Sequence, residues 1–423
     1  MKISFNRTPQ CASRVHALTP LALLFSLAAP HQAATAQASD PNPYYIGVSQ
    51  GFTRDSNVAR TPSATTSSSD TISSTGLTAG VNQPFGRQRL RVDASVSANR
   101  YATNSSLNNT GYGINAALDL STIERLSGTL RYSNNQGLAN FYSPLNPVLT
   151  DRNVQKTQEF AASALLGGVT VLSFTADLSH RTLSNSALSY RAQEYSQNAG
   201  SVGVRYRFSG ALDAGVALRM TRGSYPNFPA LGGGTQSDDL SRRDIDLTST
   251  WTPTGLTTVN GRISLSRQTH SVAASRDFSG TTGALTVQYK PAGRLSYTAS
   301  LSRDTGTENS FFTTVSPNGS VISLANDSSQ ITTLFSLGAN YDVTAKIQAN
   351  ASVRIQSLQV GTAGLGNNGT DSVSGFGLGL TYNPVRNLVI AASIGTERRS
   401  AGSVLSNDYR SNTIGISAKY SLQ

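Results

Sequence analysis

Of the 4 histidines in the chain, His180 and His270 lie beyond the N-terminal segment, and each has neighbours that a hydrolase would use. Asp177 and Ser184 flank His180, and Ser271 follows His270. A serine nucleophile needs a base within hydrogen-bond reach and a third group to orient that base. Serine is so frequent along this chain that nearness in sequence selects no triad. The expectation is a protein without catalytic residues. Two histidines, with the single cysteine at Cys11, do not make a four-ligand zinc site, so no metal or other cofactor is expected. Asp55 and Asn57 could face a cation, but Asp-Ser-Asn at a strand end reads better as an Asx-type cap. No glycine loop is placed to cradle a phosphate. Gly232-Gly233-Gly234 and Leu365-Gly366-Asn367-Asn368-Gly369 fall at loop tips.

A denser pattern is basic. Arg91, Arg131, Arg205, Arg207, Arg219, Arg262 and Arg354, with Lys290 and Lys346, share one parity along alternating segments. Asp93, Asp119, Asp177, Asp213, Asp244 and Asp246 share it too. Two chemistries are compatible with that. One is an arginine-lined pathway that lowers the barrier for an acidic, hydroxyl-rich solute or polymer. The other is a lattice of Arg–Asp pairs that stiffens a wall.

Alternation is what positions these groups. Between Ala199 and Thr221, Val202, Val204, Tyr206 and Phe208 alternate with Ser201, Gly203, Arg205 and Arg207. Beyond Ser209-Gly210, Leu212, Val216, Leu218 and Met220 alternate with Asp213, Gly215, Arg219 and Thr221. A period of two puts apolar groups on one face of a strand and polar groups on the other, and Ser-Gly between two such runs is a hairpin turn. The unit recurs. The spacing predicts a first strand at Tyr44–Thr53 and hairpins at Thr75–Val81/Arg89–Asn99, Gly111–Leu120/Arg125–Ser133 and Gln158–Leu166/Val169–Ser179. The opening Ala199–Thr221 hairpin follows. Further hairpins are predicted at Asp244–Trp251/Thr257–Ser266, Gly283–Lys290/Arg294–Ser302, Gln330–Tyr341/Ala345–Gln356 and Val373–Tyr382/Leu388–Thr396. A last strand covers Ser411–Leu422.

With 423 residues, 13% charged and 37 glycines, the composition does not suit a water-filled exterior around an apolar core. No apolar run reaches the roughly 18 residues of a membrane-spanning helix. A barrel spreads its hydrophobicity over every second residue and reads as mildly polar. The expected fold is therefore all-β: a transmembrane antiparallel barrel of about 18 strands, with short periplasmic turns and long extracellular loops. Phe208, Trp251, Tyr289, Tyr341, Tyr382 and Tyr420 lie on the apolar parity, five of them where a strand meets a short turn, as an interfacial aromatic girdle requires. Among the long loops, 134–156 (Phe141, Tyr142, Pro144, Pro147) and 303–329 (Phe311, Phe312, Pro317) have the length and apolar content to fold into a lumen.

Residues 1–38 read as a secretory signal, leaving 39–423 as the barrel. Lys2, Arg7 and Arg14 precede an apolar centre at Leu18–Ala29, and Ala34-Thr35-Ala36 or Ala36-Gln37-Ala38 offers a small-residue cleavage site. The formal charge of +11 falls to roughly +8 without those three cations. On an exported barrel such an excess fits an anionic ligand or the lipopolysaccharide surface rather than nucleic acid.

Two passages, Tyr45–Arg60 (YIGVSQGFTRDSNVAR) and Leu118–Asn140 (LDLSTIERLSGTLRYSNNQGLAN), resemble the outer-membrane barrels encoded in exopolysaccharide loci, the EpsL family within the β-barrel porin 2 group. The resemblance implies a cell-outer-membrane location and passive export or assembly of a polysaccharide. The implied partners are outer-membrane lipid and lipopolysaccharide, the barrel-insertion machinery, a polysaccharide substrate and periplasmic export proteins. The alternatives are a general or anion-preferring diffusion porin and a scaffold for export partners. Where such barrels end in an aromatic residue, this chain has Tyr420 and Leu422 before Gln423.

Overall fold

The computed structural model describes residues 42–62, 67–122, 125–139, 152–230, 234–291, 293–305, 313–315, 321–323, 329–360, 369–402 and 408–422. The signal segment, Cys11 and the loop residues Phe141, Tyr142, Pro144, Pro147, Phe311, Phe312 and Pro317 lie outside them. In chain order the strands are β1 (Tyr44–Asp55), β2 (Asp70–Phe85), β3 (Gln88–Tyr101), β4 (Asn109–Ser121), β5 (Leu126–Leu138), β6 (Val154–Leu166), β7 (Leu172–Asn185), β8 (Tyr195–Arg207), β9 (Leu212–Pro229) and β10 (Thr235–Thr254). They continue as β11 (Thr257–His270), β12 (Phe278–Tyr289), β13 (Leu295–Asp304), β14 (Thr313–Val315), β15 (Val321–Ser323), β16 (Ser329–Asp342), β17 (Ile347–Val360), β18 (Gly369–Val385), β19 (Leu388–Ser400) and β20 (Tyr409–Leu422). Apart from the small β14–β15 hairpin, all join one 18-stranded antiparallel sheet. The sheet closes where β1 meets β20, from Ile46↔Leu422 to Asp55↔Thr413.

Closure removes every sheet edge, and the pleat decides which side each residue faces. Val202, Phe208, Leu218 and Met220 point outward and are 55–63% exposed, while Arg205 and Arg219 point inward. The apolar surface is thus a belt around the outside. An even-stranded antiparallel barrel with such a belt is an outer-membrane protein, with its short turns on the periplasmic side.

The strands run further than the alternation predicts. Asp244–Trp251 grows to Thr235–Thr254, Thr75–Val81 to Asp70–Phe85, and Val373–Tyr382 to Gly369–Val385. Beyond the acyl chains both faces of a strand meet water or polar groups, so the period of two disappears from the sequence while the ladder continues. The predicted turns shrink accordingly. Asn82–Gln88 becomes Gly86-Arg87, with Gly86 at φ +61°, and Thr252–Gly255 becomes Gly255-Leu256. Pro253 and Pro384 sit at register shifts between Trp251 and Thr254 and between Tyr382 and Val385. A bulge leaves a residue unpaired, so it tolerates proline's missing donor inside a strand.

The passage containing Asp55 latches the seam. Asp55 Oδ1 accepts the Asn57 N–H at 2.8 Å, the Asx turn expected from the sequence, and also the Ser411 hydroxyl of β20 at 2.6 Å. Asn57 is fully buried. Its amide donates to the carbonyls of Thr61 (2.8 Å) and Arg410 (3.2 Å). Arg60, at φ +54°, pairs with Asp55 at 2.8 Å and lies 5.9 Å over the Tyr409 ring.

Candidate functional site

The inner wall gathers titratable groups of both signs from many strands. Its periplasmic half is open on the β3–β4 side and more closely packed at Arg205 and Asp213 on β8 and β9. Arg91 and Asp119, 2.6 Å apart, keep 44% and 37% of their side-chain surface exposed. Nearby, Tyr45 lies across Gly80, where an added Cβ would come within 2.2 Å of the ring, and donates its hydroxyl to Asp93 at 2.6 Å. Small residues therefore let a large side chain lie flat on the wall instead of crossing the lumen.

The outer third is different. Arg242 on β10 is 1% exposed, and every guanidinium nitrogen is engaged. Nε donates to Asp244 at 2.9 Å and Nη1 to Thr305 Oγ1 at 2.7 Å, with Asp304 at 3.3 Å. Nη2 reaches Ser266 at 3.1 Å and Thr282 at 3.3 Å. The network runs on from the Thr305 hydroxyl to Gln268 Oε1 (3.0 Å). Gln268 Nε2 then stands 3.0 Å from His270 Nε2, and His270 Nδ1 stands 2.8 Å from Asp238. An amide donor facing Nε2 makes that nitrogen an acceptor, so Nδ1 carries the proton and donates it to Asp238. Nine side chains from β10, β11, β12 and the end of β13 are thereby joined into one buried polar patch.

His270 and Asp238 lie at the outer rim, beyond the belt. Burial holds the imidazole below its ordinary value, against the pull of the Asp238 carboxylate. Burial would raise the Asp238 carboxyl, but the N–H groups of Val272 and Ala273, together with His270, outweigh it and hold it below the usual range. Neither histidine is built for nucleophilic catalysis. His270 faces an amide rather than a hydroxyl. His180 points outward, 2.8 Å from Asn198 Oδ1, while Asp177 points inward from the same strand. Among the described residues no cluster of His, Cys, Asp and Glu could hold a metal ion.

All seven arginines picked out by parity lie on inward positions of the register or at its periplasmic end. Arg205 pairs with Asp213, Arg219 with Asp246 at 3.0 Å, Arg262 with Asp246 at 4.0 Å, and Arg354 with Glu397 at 2.6 Å. Arg207 donates to the Gly168 carbonyl at 2.7 Å. Arg131 stands between Ala117 and Ala161 of the adjoining strands, and its Nε finds no partner. The alternation missed Arg242 with Asp304, and Arg399 with Asp371, at strand ends where no apolar neighbour marks the parity. Arg242-Arg243 and Arg398-Arg399 carried a usable signal, since adjacent residues must face opposite ways.

Outward positions divide differently. Phe208, Trp251, Tyr289, Tyr341, Tyr382 and Tyr420 stand outward beside the periplasmic turns, 41–63% exposed, with Tyr289 stacked on Tyr297. At the opposite end of the belt, the outward positions hold Arg54, Arg100, Lys156, Arg222, Arg243, Arg267, Arg303, Arg398 and Arg410. Among the described strands the one outward carboxylate is Asp239.

Compared with known proteins, the sequence matches no family model and no curated protein. Similar solved structures include the outer membrane protein OpdK of Pseudomonas aeruginosa (14% identity, 90% of this chain and 99% of that chain, TM-score 0.48). OpdL of the same organism (12%, 90% and 99%, 0.46) and the outer membrane channel DcaP of Acinetobacter baumannii (15%, 90% and 96%, 0.44) are further examples. No residue role carries over from any of them.

Proposed function

We propose that the barrel is a passive diffusion channel for small hydrophilic solutes across the outer membrane. The observation that carries this reading is the inner wall itself: eighteen strands enclose a lumen whose inward positions are largely polar and, around Arg91 and Asp119 in the periplasmic half, open to solvent. Barrels of 16–18 strands are too wide for side chains to fill and hold an aqueous channel. The buried patch around Arg242 packs polar side chains against the wall of the outer third on the β10–β13 side, and the lumen is expected to be narrower there.

Selectivity follows from pairing. Most inward arginines are already neutralised by a carboxylate on the same strand or one nearby, so the wall offers no strong net field to either ion. Arg131 is the inward arginine best placed to meet a passing anion. This supports the general porin over a strongly anion-selective one. The polysaccharide route implied by the sequence resemblance has no support in the comparisons, and a wall whose arginines are mostly taken up by carboxylates gives a polymer no continuous track.

Planar-bilayer recording on the purified barrel tests the proposal. Open-channel conductance with a reversal potential near zero in a salt gradient, and swelling of loaded liposomes in small sugars, are the expected results. A silent bilayer together with sugar-impermeable liposomes would refute it.

A further inference from the structure

We propose that the outward arginines at the outer end of the belt form a docking surface for the phosphate groups of an outer-leaflet glycolipid. Arg243 and Arg267 stand directly opposite each other on β10 and β11, and Arg222 is the diagonal neighbour of Arg243 across β9. A second pair, Arg398 and Arg410, stands opposite on β19 and β20. Like charges directly opposite on one sheet face repel, so each pair needs a counter-charge. Among the described residues no carboxylate supplies it, for none of the five makes an ion pair, whereas the inward arginines are largely paired. Asp239 accepts from the Ser237 hydroxyl at 3.1 Å, and Asp408 caps the Ala401 N–H at 2.6 Å.

Position names the occupant. Two residues toward the membrane from Arg222, Arg243 and Arg267 stand Met220, Ile245 and Leu265, which are exposed members of the belt. The guanidinium groups therefore lie where acyl chains give way to headgroups, and their stems can rest on the apolar surface. A planar fork of donors matches a phosphate bidentately, and arginine suits this better than lysine. A soluble anion in transit would meet the inner face, not this one. The basic excess of the sequence thus sits largely on the lipid side, independent of the channel.

Native mass spectrometry of the detergent-purified barrel with bisphosphorylated lipid A tests this, with dephosphorylated lipid A and inorganic phosphate as parallel probes. The wild-type barrel is expected to retain lipid A, and dephosphorylation to weaken retention about tenfold. Inorganic phosphate at matched concentration should not displace it, which separates a lipid headgroup from a free-anion site. Arg222→Gln/Arg243→Gln/Arg267→Gln and Arg398→Gln/Arg410→Gln should each weaken binding several-fold, while Arg87→Gln/Arg125→Gln in the periplasmic turns should not. Heat-modifiable migration verifies folding, and if one collar variant fails to fold the other decides. Unchanged binding in the folded collar variants, equal retention of dephosphorylated lipid, or displacement by phosphate overturns the proposal. Conductance should be untouched by the collar changes, so this test and that of the channel fail separately.

Discussion

At Arg242 a single side chain holds together carboxylates from two strands. Removing a partner from a buried charge network leaves the remaining charges uncompensated, which typically costs about 3–5 kcal/mol. Arg242→Met keeps volume and removes charge, leaving Asp244 and Asp304 buried together. Its urea-unfolding free energy in lipid vesicles should fall by that order; a change under about 1 kcal/mol would mean the network is far better solvated than its burial indicates. His270 adds a pH dependence. Because burial depresses its folded value, the unfolded chain takes the proton first as pH drops below about 6.5. Stability should therefore decline from pH 7.5 toward 5.5, and His270→Gln should flatten that part of the curve. The Asp238 contribution has the same sign but is lost only as pH falls into and below the carboxylate range.

Among the elements, the β1–β20 seam carries the distinctive local chemistry. Every other junction is between consecutive strands of the barrel (β13 and β16 flank the small β14–β15 hairpin), whereas this one joins the two ends of the barrel. Asn57 bridges both sides through the carbonyls of Thr61 and Arg410. Asn57→Ala would strand those acceptors and the Thr61 N–H, at about 1–3 kcal/mol. Amide exchange should accelerate first in β1 and β20, and uniform exchange around the barrel would show that the latch contributes little. The same element explains why the Asp-Ser-Asn passage stands out in sequence: its residues are chosen by a turn and a seam, not by a ligand.

Over the whole molecule, charge is sorted by face. Carboxylates of the described strands face inward almost without exception, where they neutralise arginines, and the surplus cations ring the outer end of the belt. Ion selectivity should then depend on the few inward arginines without a carboxylate partner. Arg131→Glu is expected to shift the reversal potential toward cation preference, while Arg243→Glu on the lipid face should leave it unchanged. Equal shifts from both would mean that the surface potential, not the lumen, sets selectivity.

Much of this was legible in the residue order alone. A period of two is imposed residue by residue by the pleat, so Val202 and Arg205 declare their faces without any knowledge of partners, and counting such runs yields the strand number and the closed barrel. The orientation of Arg131, Arg219 and Arg354 follows in the same way. Three matters required the folded sheet. Strand ends beyond the membrane carry no apolar alternation, so β10 begins nine residues before the predicted strand and brings Arg242 into the wall. Pairing partners are set by register between distant segments, which decides that Arg354 meets Glu397 and that Arg398 faces Arg410. Above all, net charge is a sum over the chain, and only closure into a cylinder separates the charges that meet solute from those that meet lipid.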